Sequence, residues 1–452
     1  MKPVPLVLVV VLAVGTGLAA EHAPGRLHAF SWSAVPADCR HITPTVWIKK
    51  DSDPVEIAKL SLERPEGHRA LFSWDLHHGL LDNPDDRCRT AAGELAPHLG
   101  VWPEHGVEAV RARFDDFFRR FKDAGGQADL MILDFEGGFS NWHMDSKTRE
   151  ERCLAIQNDP RFPGLAKKLG FSDMRTVANF RSGRNYLKWN AVTAGLVDDA
   201  LNRAVFAPVR KHFPAIECSN YGSYVTTEPN AYPDLHGHNQ WRDGIPMGTH
   251  QSRSFYTSIG QLAAVKLDGM NPFGQSPFAG LLLSINGLRA MMRSSAVPIQ
   301  PWIAWQRYMG EPGRPSTVGN TPYYRELVIH LALHGVEEFL FWNPHPWRKD
   351  QRPESLSMPK DEKLLDDILT DLNQRLSIAG RKPVTTEAIA WDTRVIASGL
   401  QVADRVVWRF TFSPEARELK ATLDGQPVTI GPADGEVGTW FSHPVATLIR
   451  FD

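Results

Sequence analysis

Apolar residues along the chain fall into short runs that end on polar or aromatic residues and a Gly- or Pro-rich loop. Several read as strands. "RLHAFSW" ends at Trp32, "RALFSWDLHHG" at Gly79, "ADLMILDFEGG" at Gly138 and "AIECSNYGSY" at Tyr224. "AAVKLDGMNPFG" ends near Gly274, "PIQPWIAW" covers Pro298 to Trp305, and "GVEEFLFWNPHPW" runs from Gly335 to Trp347. Between them the period changes to that of a helix. Val107, Val110, Phe114, Phe117, Phe118 and Phe121 share one stripe. Val197, Leu201, Val205 and Val209 recur four apart, and Tyr324, Leu327, Val328 and Leu331 form another stripe.

Strands alternating with helices predict a parallel sheet. About eight such units point to an α/β fold of the (β/α)8 barrel type with large loop insertions. No Gly-rich phosphate loop follows any strand, which argues against a doubly wound sheet. After the amphipathic "KDEKLLDDILTDLNQRL" the texture becomes short alternating runs such as "RVVWRFTF" and "KATLDGQPVTI", where "LDGQPV" reads as a hairpin turn. The division predicted is a catalytic barrel over 21–382 and a β-sandwich-like antiparallel domain over 383–452. The small domain reads as an appendage packed on the barrel, with a sugar-binding module as the other option.

The first 20 residues, "MKPVPLVLVVVLAVGTGLAA", carry Lys2, an apolar run and small residues, the layout of a secretory signal peptide. The mature chain is expected to be secreted or periplasmic, with no membrane span after cleavage. Four cysteines, Cys39, Cys88, Cys153 and Cys218, fit no zinc spacing. Export favours disulfides, and Cys39 with Cys88 is the pairing expected, since both follow early strands. A net charge of −2 with no basic run gives no reason to expect a nucleic-acid partner.

The chemistry concentrates in Asp134-Phe135-Glu136. Residues two apart in a strand share a face, so Ile132, Asp134 and Glu136 point one way and Leu133 and Phe135 the other. In a barrel the first set faces the mouth. Two adjacent carboxyl groups resist joint ionisation, which keeps one protonated as a general acid. The pair is too close to flank a sugar from both faces, so the nucleophile has to come from elsewhere. In substrate-assisted hydrolysis it is the 2-acetamido oxygen of the sugar itself. Glu136 is then the general acid/base, and Asp134 orients or stabilises the acetamido group.

The tract "ILDFEGGFSNWHMDSKTREERCLAI" resembles the strand-four segment of the hyaluronidases. That resemblance implies a (β/α)8-barrel glycoside hydrolase. By position it implies a substrate-contacting tyrosine at Tyr221 or Tyr224 and a tryptophan under the reactive sugar at Trp342, the latter shared with the chitinases. The chain departs from the family at Gly137-Gly138, where animal members carry an arginine. "KLDGMNPFG" offers Asp268 and Asn271 in place of a sixth-strand tyrosine.

Other residues extend the candidate site. Asp75 and His77 in "WDLHHG" are placed to bind sugar hydroxyls, and Trp305 to stack on a sugar face. Asp268 is the best remote carboxylate should a carboxylate nucleophile be used. His236, His238 and His250 lie in a long loop with no carboxylate partner in a fixed frame, so neither a metal nor another cofactor is expected. Glu337 and Glu338 open the last strand, the wrong end for catalysis. The reading is a secreted glycoside hydrolase acting on a poly- or oligosaccharide. A carboxylate-nucleophile glycosidase using Asp268, and a non-catalytic carbohydrate-binding protein, stay open.

Overall fold

A computed structural model describes residues 26–135, 139, 145–178, 184–224, 249–250, 252–256, 277–294, 297–304, 321–343, 359–376, 381–384 and 393–451. The strands of the first part are β1 (His28–Ser31), β2 (Ile42–Pro44), β3 (Val46–Ile48), β4 (Ala70–Ser73), the hairpin of β5 (Arg87–Arg89) and β6 (Leu95–Leu99), β7 (Leu130–Leu133), β8 (Glu217–Tyr224), β9 (Ser252–Tyr256), β10 (Trp302–Ala304) and β11 (Glu338–Phe341).

Outside the hairpin the pairing order is β2-β1-β11-β10-β9-β8-β7-β4-β3, and every neighbour pair in that order is parallel. Its two ends, β2 and β3, are separated only by Thr45, whose N–H donates to Ser31 O at 2.9 Å. The order therefore closes on itself. With β2 and β3 taken as one interrupted strand, the nine strands occupy eight positions.

Alternation along these short strands separates two environments. Phe30, Phe72, Leu130, Ile132, Tyr221, Trp302 and Leu340 meet inside the ring. Met131, Leu133, Phe135 and Cys218 face outward into a core shared with the helices. The stripe Val107 to Phe121 is buried there, on α2 (Glu104–Asp123), after α1 (Pro54–Leu62). So are Val197, Leu201, Val205 and Val209, on a helical run that continues from Arg184 to His212 through a π turn at Asn202–Phe206. Pro208 has no N–H to give Ala204 O, and the wider turn absorbs the lost bond.

On the other side the helices are α8 (Pro277–Ser294), α9 (Thr321–Leu333) and α10 (Pro359–Leu376), following α3 (Ser146–Asn158), α4 (Phe162–Leu169), α5 (Arg175–Ala178), α6 (Arg184–Leu201) and α7 (Ala207–His212). They enclose a second outer core with Phe255, Ile303, Phe339 and Phe341.

The chain then forms an antiparallel sheet of β12 (Lys382–Val384), β13 (Val395–Val402), β14 (Arg405–Phe412) and β17 (Gly438–Pro444). A second sheet holds β15 (Leu419–Leu423), β16 (Gln426–Ile430) and β18 (Ile449–Phe451). Leu423 pairs with Gln426 across Asp424-Gly425, both at positive φ, so the expected "LDGQPV" hairpin is present. Trp408, Phe410 and Phe412 pack between the sheets.

The opposite face of β13 and β14 lies on α8 and α9, with Ile396 and Leu400 joining the outer core. Arg409 Nη2 meets Glu326 Oε1 at 2.5 Å with both side chains buried, and Thr411 Oγ1 donates to Glu326 Oε2. That use of the Thr411 proton makes it an acceptor for His330 Nε2–H at 2.8 Å, while Ser398 Oγ donates to His330 Nδ1 at 2.7 Å.

Three sequence expectations change. The stretches 42–48 and 252–256 are strands that the apolar-run reading did not pick out. Between β8 and β10 the ring strand is β9, while "AAVKLDGMNPFG" lies outside the described residues. The Cys39–Cys88 disulfide is not formed, because all four cysteines are free thiols. Cys88, Cys153 and Cys218 are buried in the first outer core, whereas Cys39 packs against the second.

Candidate functional site

Asp134 follows β7 directly, and its N–H donates to Ser73 O at 3.2 Å, extending the ladder with β4 by one residue. It continues the inward parity of Leu130 and Ile132 and is half-buried. Phe135 continues the outward parity and is buried among the helix-facing residues. Thus the same-face relation expected for Ile132 and Asp134, against Leu133 and Phe135, holds as far as Phe135. Glu136, Gly137 and Gly138 lie outside the described residues.

The backbone at Phe135 is clamped by Asn220 of β8. Phe135 N–H donates to Asn220 Oδ1 at 3.0 Å, and Asn220 Nδ2 donates to Phe135 O at 3.3 Å and to Tyr221 O at 3.0 Å. Asn220 is almost wholly buried. A primary amide is the side chain that can accept from an N–H and donate to two carbonyls at once. Asn220 was not among the residues that sequence reasoning singled out. The only signal in the sequence is a polar residue placed between apolar Cys218 and an aromatic run, and that pattern does not reveal a cross-strand clamp.

Aromatic rings gather at the same end of the ring. Trp32 follows β1, Trp47 lies on β3 and Trp74 follows β4. Trp47 stacks on Trp74 with centroids 5.7 Å apart and an interplanar angle of 25°. Trp32 meets both edge-on, at 4.8 and 5.3 Å, and its carbonyl accepts from Trp47 Nε1 at 2.8 Å. Trp74 keeps 36% of its surface exposed, so the stack presents a ring to solvent. Such a platform suits the apolar face of a sugar. Deeper in, Trp302 packs edge-on to Tyr221 at 5.7 Å, and its buried Nε1 has no hydrogen-bond partner among the described residues.

Of the other residues expected at the site, Tyr221 is buried inside the ring and Trp342 packs against the inner cluster just after β11. Tyr224 ends β8, but its side chain is outside the description, as are Asp268, Asn271 and Trp305. Asp75 Oδ1 accepts from Lys50 N at 2.6 Å and joins two loops. His77 is buried, with its ring 5.2 Å from the outward-facing Phe135. Burial, aided by His78 and Arg113, lowers its pKa to about 3 and keeps it neutral. His77 thus packs behind the strand, against Phe135.

No protein-family model and no curated relative matches the chain. Among solved structures, a glycoside hydrolase family 30 subfamily 8 xylanase from Clostridium acetobutylicum aligns at TM-score 0.36 and 10% identity, over 95% of this chain and 97% of that one. A cyclic α-maltosyl-(1→6)-maltose hydrolase from Arthrobacter globiformis aligns at TM-score 0.39 and 12% identity, over 87% and 79%. A family 5 glycoside hydrolase from Bacteroides vulgatus aligns at TM-score 0.34 and 10% identity, over 94% and 88%. These likenesses fall below the level from which a shared activity follows.

Proposed function

We propose that the chain is a glycoside hydrolase on a (β/α)8 barrel, exported by its first 20 residues, with Glu136 as general acid/base and Asp134 as its partner. The observation that carries this reading is the placement of Asp134. It sits on the inward face at the C-terminal end of a ring strand, before a backbone clamped by Asn220, at the end where the tryptophan stack lies. Barrel enzymes place their chemistry at that end.

In the favoured mechanism Glu136 protonates the leaving glycosidic oxygen as the 2-acetamido oxygen of the substrate attacks C1. Asp134 orients the acetamido group and stabilises the charge that develops on it. Water then attacks C1 as Glu136 takes its proton. The substrate is accordingly a poly- or oligosaccharide containing N-acetylhexosamine, as the hyaluronidase-like tract implies. Tyr221, Tyr224, Asn271, Trp305 and Trp342 are the proposed sugar contacts. Asp268 becomes the nucleophile only under a carboxylate mechanism.

The test is a panel of polysaccharides with wild type and Glu136→Gln side by side. Hydrolysis by wild type, lost in the variant with glycan binding kept, supports the reading. An absence of hydrolysis on any glycan, with binding retained, favours a sugar-binding protein that uses the Trp74 platform alone. Turnover insensitive to an N-acetylglucosamine thiazoline, together with a dead Asp268→Asn variant, overturns substrate assistance.

A further inference from the structure

The N-terminal end of the ring, away from Asp134, holds a second polar group. Glu217 opens β8, Glu338 opens β11, and His250 stands two residues before Ser252, the first residue of β9. One ligand atom from each of the three lies within 4.8 Å of the others. His250 Nε2 is 3.9 Å from Glu217 Oε2. That is too long for a hydrogen bond, but two bonds of about 2.1 Å to one ion span it.

The histidine is oriented for ligation. Thr249 Oγ1 accepts from Cys218 N–H at 2.8 Å and donates to Cys218 O at 3.1 Å. With its proton spent, the hydroxyl can only accept from His250 Nδ1–H at 2.9 Å. Nε2 then carries the lone pair on the side of the carboxylate, the arrangement that a hydrogen bond to the other ring nitrogen imposes on metal-bound histidines.

A second observation points to the same place. Gln300 is fully buried, and its Nε2 donates to Glu338 Oε2 at 2.8 Å. Its Oε1 has no hydrogen-bond partner among the described residues. A buried amide oxygen beside a carboxylate, with no donor among the described residues, costs free energy unless something positive meets it.

We propose that Glu217, His250, Glu338 and the Gln300 amide oxygen hold a divalent transition-metal ion. An imidazole together with carboxylates is a donor set that zinc accepts, and zinc is the ion taken for the test. The ion ties β8, β9, β10 and β11 together at the end of the ring away from the sugar chemistry, a stabilising position. Sequence spacing alone left His250 without a carboxylate, because both partners come from distant strands.

The test uses the purified full chain, stripped with EDTA and dialysed against zinc at neutral pH. Bound metal is counted by plasma mass spectrometry, and Tm is measured with and without zinc. The expected result is one zinc per chain and a higher Tm with zinc. Both effects should be lost in Glu338→Gln and His250→Gln, checked for folding by circular dichroism, and kept in Asp134→Asn. A wild type that retains no stoichiometric zinc overturns the proposal whatever the variants do. Equal zinc in wild type and both folded variants overturns it too, and so does loss of the zinc in Asp134→Asn.

Discussion

Asn220→Ala tests whether the clamp at Phe135 sets the geometry of the carboxylate tract. The substitution removes three hydrogen bonds of a buried side chain. At about 0.5–1.5 kcal/mol net for each, the loss of stability is about 2–4 kcal/mol. Urea unfolding followed by far-UV circular dichroism reads it as a lower midpoint with an unchanged slope. Activity is the sharper readout. In the proposed mechanism Glu136, next after Phe135 in the chain, is the general acid, and a shift of about 1 Å in a reacting group costs about 100-fold. We expect kcat on the cleaved glycan to fall by about that factor, with KM little changed. Asn220→Asp adds a pH signature. The introduced carboxyl, buried and facing two carbonyls, favours its protonated form, so its folded pKa lies above the ~3.9 of an unfolded chain. Stability is then kept below that unfolded value and lost as pH rises toward the folded one. A wild-type midpoint and wild-type kcat in Asn220→Ala would show that the clamp carries nothing.

Removing Arg409 leaves the buried Glu326 carboxylate without its guanidinium and should cost about 3–5 kcal/mol, removing Glu326 should cost less because Arg409 keeps Glu436 at 3.1 Å, and a joint Glu326→Leu/Arg409→Met replacement should recover most of the larger loss. A double-mutant cycle by urea unfolding checks this, and strictly additive losses would contradict it. His334 donates Nδ1–H to His330 O at 2.7 Å and accepts from Arg289 Nε at 3.0 Å, and burial with Arg289 nearby lowers its pKa to about 4. The unfolded chain takes up that proton first. His334 should therefore lower stability as pH drops from about 6.5 toward 4, by up to ~1.4 kcal/mol per pH unit, and His334→Gln should reduce the measured slope by that contribution. Burial raises the thiols of Cys39 and Cys88 to about 11 and that of Cys218 to about 12. A thiol reagent should react slowly with native protein and with four thiols per chain in urea without reductant, and fewer than four would reveal a disulfide.

The periodicities carried most of the ring. The stripe from Val107 to Phe121 and the four-residue repeat from Val197 to Val209 are buried as their spacing requires. The strands missed are those whose sequence does not look apolar. Ile42 to Ile48 is split by Pro44 and Thr45, and Ser252–Tyr256 opens on polar Ser252, Arg253 and Ser254, so it offers no apolar run. Asp134 and its facing were legible because a two-residue period is a local property. Asn220, the Trp47–Trp74 stack and the meeting of His250 with Glu217 and Glu338 were not, since each joins residues from separate strands and depends on register. The disulfide expectation came from compartment and chain order, and neither reports distance between side chains.

The sheet that rests on α9 bears on how the protein can be divided. Tyr323, Glu326 and His330 all take hydrogen bonds from or give them to β13 and β14, within the same apolar layer as Ile396 and Leu400. Cutting the chain after residue 381 strips Glu326 of its guanidinium and uncovers that layer to water. The C-terminal strands are therefore no detachable tail. The chain should melt in one transition, and a gene fragment ending at α10 should yield aggregate instead of a smaller enzyme.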